Sequence, residues 1–236
     1  MPREGVTTVQ EYLILKLKGP LQSWGTHTYE DYRPSNLFPT QSGLLGLLAA
    51  CLGIKRQDQE RLQALDQSIE IAVRVDQATS DGAKPLRPTK ITDFHTIMDA
   101  RRVDGKASKY PVVSRREYVC DVTFTVAIRE SSQSRMNLDE LEAAVKKPYY
   151  TPFLGRRSCP LSRPLWEQRL MAESFEQALE QVEPRAGVIY SEWIDFEHSR
   201  LQLRDVPLRA DKRQFTTRFV NIKSVTMRES ASDVPQ

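Results

Sequence analysis

The sequence predicts an α+β chain. A ferredoxin-like βαββαβ unit over residues 11–159 carries an insertion at 77–114, a smaller β-rich region follows at 160–228, and 1–10 and 229–236 are loose termini. Three observations predict this. Up to Pro160 the hydrophobic periods run strand, helix, helix, strand, insertion, strand, helix, then a glycine-containing basic loop; a short fourth strand after that loop completes the unit. The insertion holds Gly82, Pro85, Pro88, Gly105 and Pro111 and has no sustained period. Such long connections are functional or disordered rather than core. Beyond Pro160 the chain reads mostly as short strands.

The elements follow in order. Tyr12–Leu17 is a β-rich run stopped by Gly19-Pro20, and Leu21–Gly25 turns away from it. Residues 26–37 form a loop with aromatics, His27, Tyr29, Tyr32 and Arg33. From Thr40 to Gly53, Leu44, Leu47, Leu48, Cys51 and Leu52 repeat at helical spacing, with Pro39 and Thr40 as start signals and Gly53-Ile54 as the stop. Gly43 and Gly46 lie in the first turns of this helix, where each costs about 1 kcal/mol against alanine. Either a neighbouring backbone packs there or a phosphate sits at the helix start; the pattern leaves both open. A second helix starts from Asp58 with Leu62, Leu65 and Ile69 on one face, and Ile69–Val75 alternates as a strand. Arg116–Arg129 alternates through Tyr118, Cys120, Val122, Phe124, Val126 and Ile128, one continuous strand. Asn137 caps a helix to Val145, with Glu140 completing a capping-box variant. Leu165–Met171 is ambiguous. Ser174–Val182 is a short helix, and Gly187–Ile194, Arg200–Leu203 and Arg213–Met227 are strands. The βαββαβ topology also hosts RNA-recognition modules.

Composition narrows the class. The chain has 236 residues and a formal net charge of +3. The sequence pI of about 8.7 is too mildly basic to establish a nucleic-acid partner by itself. Cys51, Cys120 and Cys159 form no disulfide or zinc pattern. Neither a signal-peptide core nor a run near the ~20 apolar residues of a membrane span is present, so a cytoplasmic setting is expected, with no membrane partner.

Catalytic motifs are missing from the sequence. His27, His95 and His198 match no metal-ligand spacing, and there is neither a G-x-S-x-G nor a Walker A lysine. No cofactor and no metal is expected. A metal-independent ribonuclease, with His95, Tyr110 and a lysine for instance, needs no fixed motif and stays open as an alternative. The stronger chemical pattern is Lys146–Arg163, which has no acidic residue and interleaves cations with Tyr149, Tyr150 and Phe153. Cations for phosphates and flat rings for unstacked bases are what a single-stranded nucleic acid requires. Gly155 ahead of Arg156 and Arg157 lets backbone and guanidinium groups converge on one phosphate. A solvated basic turn is the plainer reading of the same residues. The insertion is basic too: Lys84, Arg87, Lys90, Arg101, Arg102, Lys106, Lys109, Arg115 and Arg116 stand against Asp93, Asp99 and Asp104. Its composition predicts ordering on binding. Trp24 reads equally as a core ring or a stacking platform. Tyr29, Tyr32 and Arg33 either contact RNA or pin their loop.

Four blocks add up to a family pattern. Gly19–Gly25, Phe38–Leu48, Arg116–Asp121 and Tyr150–Leu161, in this order and spacing, resemble the CasD family, whose members cap the 5′ end of the guide RNA in type I-E CRISPR Cascade. The resemblance spans roughly residues 11–195 and weakens after Ser199. It implies an RNA-recognition-type ferredoxin fold whose thumb is the 77–114 insertion, and a non-catalytic subunit that holds the repeat-derived 5′ handle of crRNA. It implies contact with the adjacent backbone subunit and the large subunit, and with target DNA only through the assembled complex. Relatives in other subtypes are ribonucleases, which keeps that alternative; a purely structural adaptor is a third. The expected RNA-binding residues are Trp24, His27, Arg33, Ser42, Gly43, Arg101, Arg102, Lys109, Tyr149, Tyr150, Arg156, Arg157 and Ser158. Ser42 and the N–H groups beside it would hold phosphate, and the 146–163 loop would close over the same helix start.

Overall fold

The computed structural model describes residues 8–26, 31–77, 88–102, 104–195, 199–209 and 214–225. In chain order its elements are β1 (Gln10–Lys18), β2 (Leu21–Gln22), β3 (Trp24–Gly25), β4 (Tyr32–Arg33), β5 (Ser35–Asn36), α1 (Gln41–Cys51), α2 (Gln59–Ser68), β6 (Ile69–Asp76), β7 (Thr89–Ile97), β8 (Val112–Cys120), β9 (Thr123–Glu130), α3 (Leu138–Lys146), β10 (Trp166–Ala172), α4 (Phe175–Glu180), β11 (Gly187–Ser191), β12 (Ser199–Arg209) and β13 (Gln214–Val225).

Seven strands make one sheet in the order β10-β1-β9-β6-β11-β13-β12, and every neighbouring pair is antiparallel. The chain is thus a mixed α/β protein around a large antiparallel sheet. β1 is buried from Tyr12 to Leu17 because both sheet faces are covered. Leu13, Leu15 and Leu17 join the core under α1 and α3, with Phe124, Val126, Ile128, Leu44, Leu48 and Leu141. Tyr12 and Ile14 point the other way, onto Phe175, Ala178 and Leu179 of α4. A strand covered on both sides loses the polar half of its alternation.

The helices start where their caps are. The side chains of Thr40, Asp58, Asn137 and Ser174 accept from the N–H groups of Gly43, Arg61, Glu140 and Gln177. α1 ends in a Schellman turn: Ile54 N–H reaches Ala49 O at 2.8 Å and Gly53 N–H reaches Ala50 O at 3.3 Å, with Gly53 at φ +68°.

The sheet runs on past Pro160: β10 pairs with β1 and β11 with β6. Two expectations need correction. The run 116–129 is two strands, broken at Asp121 with φ +49°; β8 belongs to a second sheet with β2, β4 and β7. Alternation passes unbroken through the break because a two-residue step preserves strand parity. The described part of the insertion is a β-hairpin, with β7 and β8 paired from Thr89↔Cys120 to Ile97↔Val112. Nearly every residue of β7 is exposed, so no inward face existed to impose a period.

Candidate nucleic-acid interface

The basic loop is fastened along α1. Tyr149 N–H donates to Cys51 O at 2.9 Å and Tyr150 N–H to Ala50 O at 3.0 Å, so the two tyrosines cap the last carbonyls of the helix. The Tyr149 ring lies on Gly53, where any Cβ would come within 2.8 Å of it. The two rings meet edge to face at 4.7 Å and stay open to solvent, Tyr149 at 73% and Tyr150 at 41%. Farther on, Ser23 N–H donates to Leu154 O at 3.0 Å, and Leu154 N–H to Cys159 O at 2.8 Å. Arg157 and Ser158 are exposed at the tip of this turn.

Arg156 turns inward instead. Its guanidinium lies 4.8 Å from the centre of the Tyr118 ring and donates to Arg33 O at 3.2 Å. Its Nη1 is buried with no acceptor among the described residues. Arg33 itself is half-buried on β4, whose parallel pairing with β8 sets it beside Arg116. Glu117 anchors this corner. It accepts from Tyr32, from Ser35 N–H at 2.9 Å and from Lys90 Nζ at 3.0 Å. Burial raises its pKa, but these donors together outweigh burial and hold the carboxyl below its usual range.

The helix start differs from expectation. Gln41 N–H is taken by Asp205 Oδ2 at 2.8 Å, and Gly43 N–H by Thr40 Oγ at 3.3 Å. Asp205 in turn is held by Arg218 through Nε at 2.7 Å and Nη2 at 2.9 Å. The anion at this helix start is therefore an internal carboxylate, which corrects the expected phosphate cradle at Ser42 and Gly43. Gly43 is small because a Cβ would sit 3.0 Å from the Trp24 ring. A Cβ at Gly46 would meet nothing within 4 Å among the described residues. Trp24 is fully buried, its Nε1 donating to Gln22 Oε1 at 3.2 Å. It is a core ring, and the stacking-platform reading is withdrawn. Tyr149 and Tyr150 meet α1 at its end, and eleven residues of helix put that end about 16 Å from the start; Leu154 and Gly155 run on to Ser23, next to the Trp24 that packs on Gly43.

His27 lies outside the described residues. Arg101, Arg102 and Lys109 are exposed where the hairpin turns back, Lys109 lying 5.8 Å from the Tyr110 ring centre. The same hairpin exposes Phe94 at 65%, Met98 at 67% and Tyr110 at 70%. His95 pairs with Asp93 at 2.8 Å and lies 3.3 Å from the Tyr118 hydroxyl, rather than meeting Tyr110. Burial pushes the Cys51 thiol up to about 11, and burial also raises Cys120 and Cys159, so none of the three is a ready thiolate. Among the described residues no group of three His, Cys, Asp or Glu side chains is placed to hold a metal. Nor is any described helix long and apolar enough to cross a membrane. Sequence reasoning missed Glu117, Tyr118 and Asp205. The first two lie in the Arg116–Asp121 block and were readable as a site only through it; Asp205 carried no local signal.

Known proteins resemble this chain in sequence and in fold. The family described as CRISPR-associated protein (Cas_Cas5) matches residues 12–221. The CRISPR system Cascade subunit CasD of Escherichia coli (strain K12) is 46% identical over 212 residues, 89% of this chain and 94% of that protein. A solved chain described as a CRISPR RNA-guided surveillance complex superposes with a TM-score of 0.69 at 27% identity, covering 91% of this chain and 90% of its own. Another, described as the crystal structure of a Cas protein, gives 0.62 at 26% identity over 91% and 94%. By the family match and this identity, the chain belongs to the Cas5 family of CRISPR-associated proteins, among the CasD subunits of Cascade.

Proposed function

We propose that this chain is the non-catalytic, cytoplasmic subunit that caps the repeat-derived 5′ handle of crRNA in a CRISPR surveillance complex. It joins the adjacent backbone subunit and the large subunit, and meets target DNA only through the assembly. The observation that carries this reading is the acid-free loop fastened to α1. Tyr149 and Tyr150 are displayed with Arg157 and Ser158 on a frame of backbone hydrogen bonds, so aromatic faces and a free guanidinium are presented without ordering cost at the moment of binding. Arg33 and Arg156 shape the corner beneath them, and the Nη1 of Arg156 lacks an acceptor among the described residues. The β7–β8 hairpin is the thumb: Arg101, Arg102 and Lys109 grip the strand where it passes to the next subunit. The ferredoxin-like reading is part of the proposal; the order β10-β1-β9-β6, with helices between β1 and β6 and between β9 and β10, supports it, with β10 (Trp166–Ala172) as the fourth strand beyond the proposed 11–159 bound.

Arg157→Ala in the assembled complex tests the reading. Binding of handle RNA should weaken and its salt slope should fall by about 0.7, one single-strand phosphate contact. Tyr149→Ala should cost about 1–3 kcal/mol if its ring stacks on a base. Unchanged affinity and slope in both variants would remove the loop from the site. A second reading, a metal-independent endoribonuclease, draws on the Asp93–His95–Tyr118 contacts, which resemble an oriented acid–base group. Specific cleavage of repeat RNA in EDTA by the pure protein, abolished by His95→Ala, would establish it and overturn the non-catalytic reading.

A further inference from the structure

A cleft of about 230 Å³ opens between the starts of α1 and β6, the end of α2, and the β11–β13 strands, and no residue of the basic loop lines it. Its lining combines apolar and aromatic side chains with Gln41, Asp66, Glu192 and Arg218. Phe38 and Tyr190 stack at 4.0 Å with 15° between their planes, Leu45 and Val206 complete the floor, and Trp193 stands at the mouth, 49% exposed.

The polar groups of this cleft are unbalanced. Asp66 accepts one hydrogen bond, from Gln41 Nε2 at 2.7 Å, and faces no cation within ion-pair distance among the described residues. Burial raises its pKa, and Gln41 and the more distant Arg218 offset only part of that cost. The other end of the same amide, Gln41 Oε1, is withdrawn from solvent and accepts nothing from the described residues. Arg218, the guanidinium lining the cleft, is already committed to Asp205 and, at 3.1 Å, to Glu192. Asp66, Asp205 and Glu192 thus have one cation, Arg218, among them in this cleft; Asp66 has only the Gln41 amide as a donor, and Gln41 Oε1 has none among the described residues. An unmade buried hydrogen bond and an unpaired desolvated carboxylate are each costly in an isolated chain.

We infer that this cleft is a receptor for one arginine side chain of a neighbouring protein subunit. A guanidinium carries parallel N–H donors that span a carboxylate and an adjacent carbonyl, and its flat face suits the Tyr190 and Trp193 rings. The apolar walls accept its methylene stem. The inference rests on the reading of the chain as a subunit of a larger assembly. The cleft does not adjoin the loop proposed for RNA, so its occupant is set by charge and shape and need not be nucleic acid, whose phosphates Asp66 and Glu192 would repel.

Two measurements test it. The first uses the purified full chain, with ethylguanidinium chloride as the probe and sodium chloride at equal ionic strength as the control, followed by NMR. Saturable shifts of the Gln41 side-chain amide and the Trp193 indole, lost in Asp66→Asn, are expected; shifts equal to those in salt alone would overturn the cation site. The second compares wild type, Asp66→Asn and Asp66→Lys for incorporation into the complex with its partner subunits and guide RNA. Incorporation should weaken at least tenfold in both variants, while handle-RNA affinity is unchanged and the isolated Asp66→Asn chain melts no lower than wild type. Wild-type incorporation in both variants, or a lower melting temperature for isolated Asp66→Asn, would make Asp66 a structural residue and overturn the proposal. If the wild-type chain itself fails to assemble, the subunit reading falls, and with it the arginine donor; the probe titration still decides the cation site.

Discussion

A Cβ at Gly155 would lie 1.7 Å from the carbonyl oxygen of Ser23, and Gly155 has φ +84°. Both facts come from one contact, the docking of the basic loop against the short strand that carries Trp24. Gly155→Ala therefore meets a backbone atom that cannot give way, in a conformation that L residues avoid. The expected loss is on the order of 3 kcal/mol, read by urea unfolding, with the loop released from Ser23. A variant as stable as wild type would mean that the loop is not held in this way.

Gly46 carries the opposite expectation. It lies on α1 with open space around it, so Gly46→Ala should stabilise the isolated chain by about 0.5–1 kcal/mol, the ordinary helix-propensity gain. If handle-RNA affinity in the complex stays the same, the glycine serves neither packing nor RNA. A drop in affinity alongside the gain in stability would place an RNA backbone against this turn.

Beneath α4 a charged group is buried in the sheet. Lys16 reaches Asp76 at 2.7 Å and Arg74 reaches the same carboxylate at 2.8 Å, while Thr125 joins both cations. Arg74 also donates to Leu179 O at 2.5 Å and Val182 O at 2.9 Å, tying the end of α4 to the sheet. Desolvation lowers the Lys16 pKa, with Asp76 opposing it. Asp76→Asn leaves two buried cations without their anion and should cost about 3–5 kcal/mol by chemical denaturation. A cost below 1 kcal/mol would show that the group relaxes or takes up water.

Glu117 predicts an acid-side pH dependence. Its folded pKa is depressed, so it contributes stability that is present above the ordinary value of 4.5 and lost as pH falls through the folded value. Glu117→Gln should cost about 1–2 kcal/mol near pH 7 and flatten the stability profile below pH 4.5. Parallel profiles for the two proteins would assign the acid sensitivity to other carboxylates. Because Glu117 holds Tyr32 and Ser35, the variant should also loosen the loop bearing Arg33.

The local grammar of the chain was enough to place its helices. Thr40, Asp58, Asn137 and Ser174 stand where caps must stand, and Gly53 supplies the stop of α1, because these depend on residues within one turn of each other. The family blocks likewise lie in linear order, so membership was legible without coordinates. The basic–aromatic loop was found by composition alone. What the residues face was decided only in three dimensions. Trp24 is core because Gly43 and Phe124 close around it, and Arg156 is spent on Tyr118 and Arg33 while its neighbour Arg157 stays exposed. The start of α1, which reads as an anion site in isolation, already holds Asp205, 164 residues downstream. A helix dipole and its free N–H groups are local properties, but which anion satisfies them is settled by long-range packing, and no pattern of near neighbours encodes it.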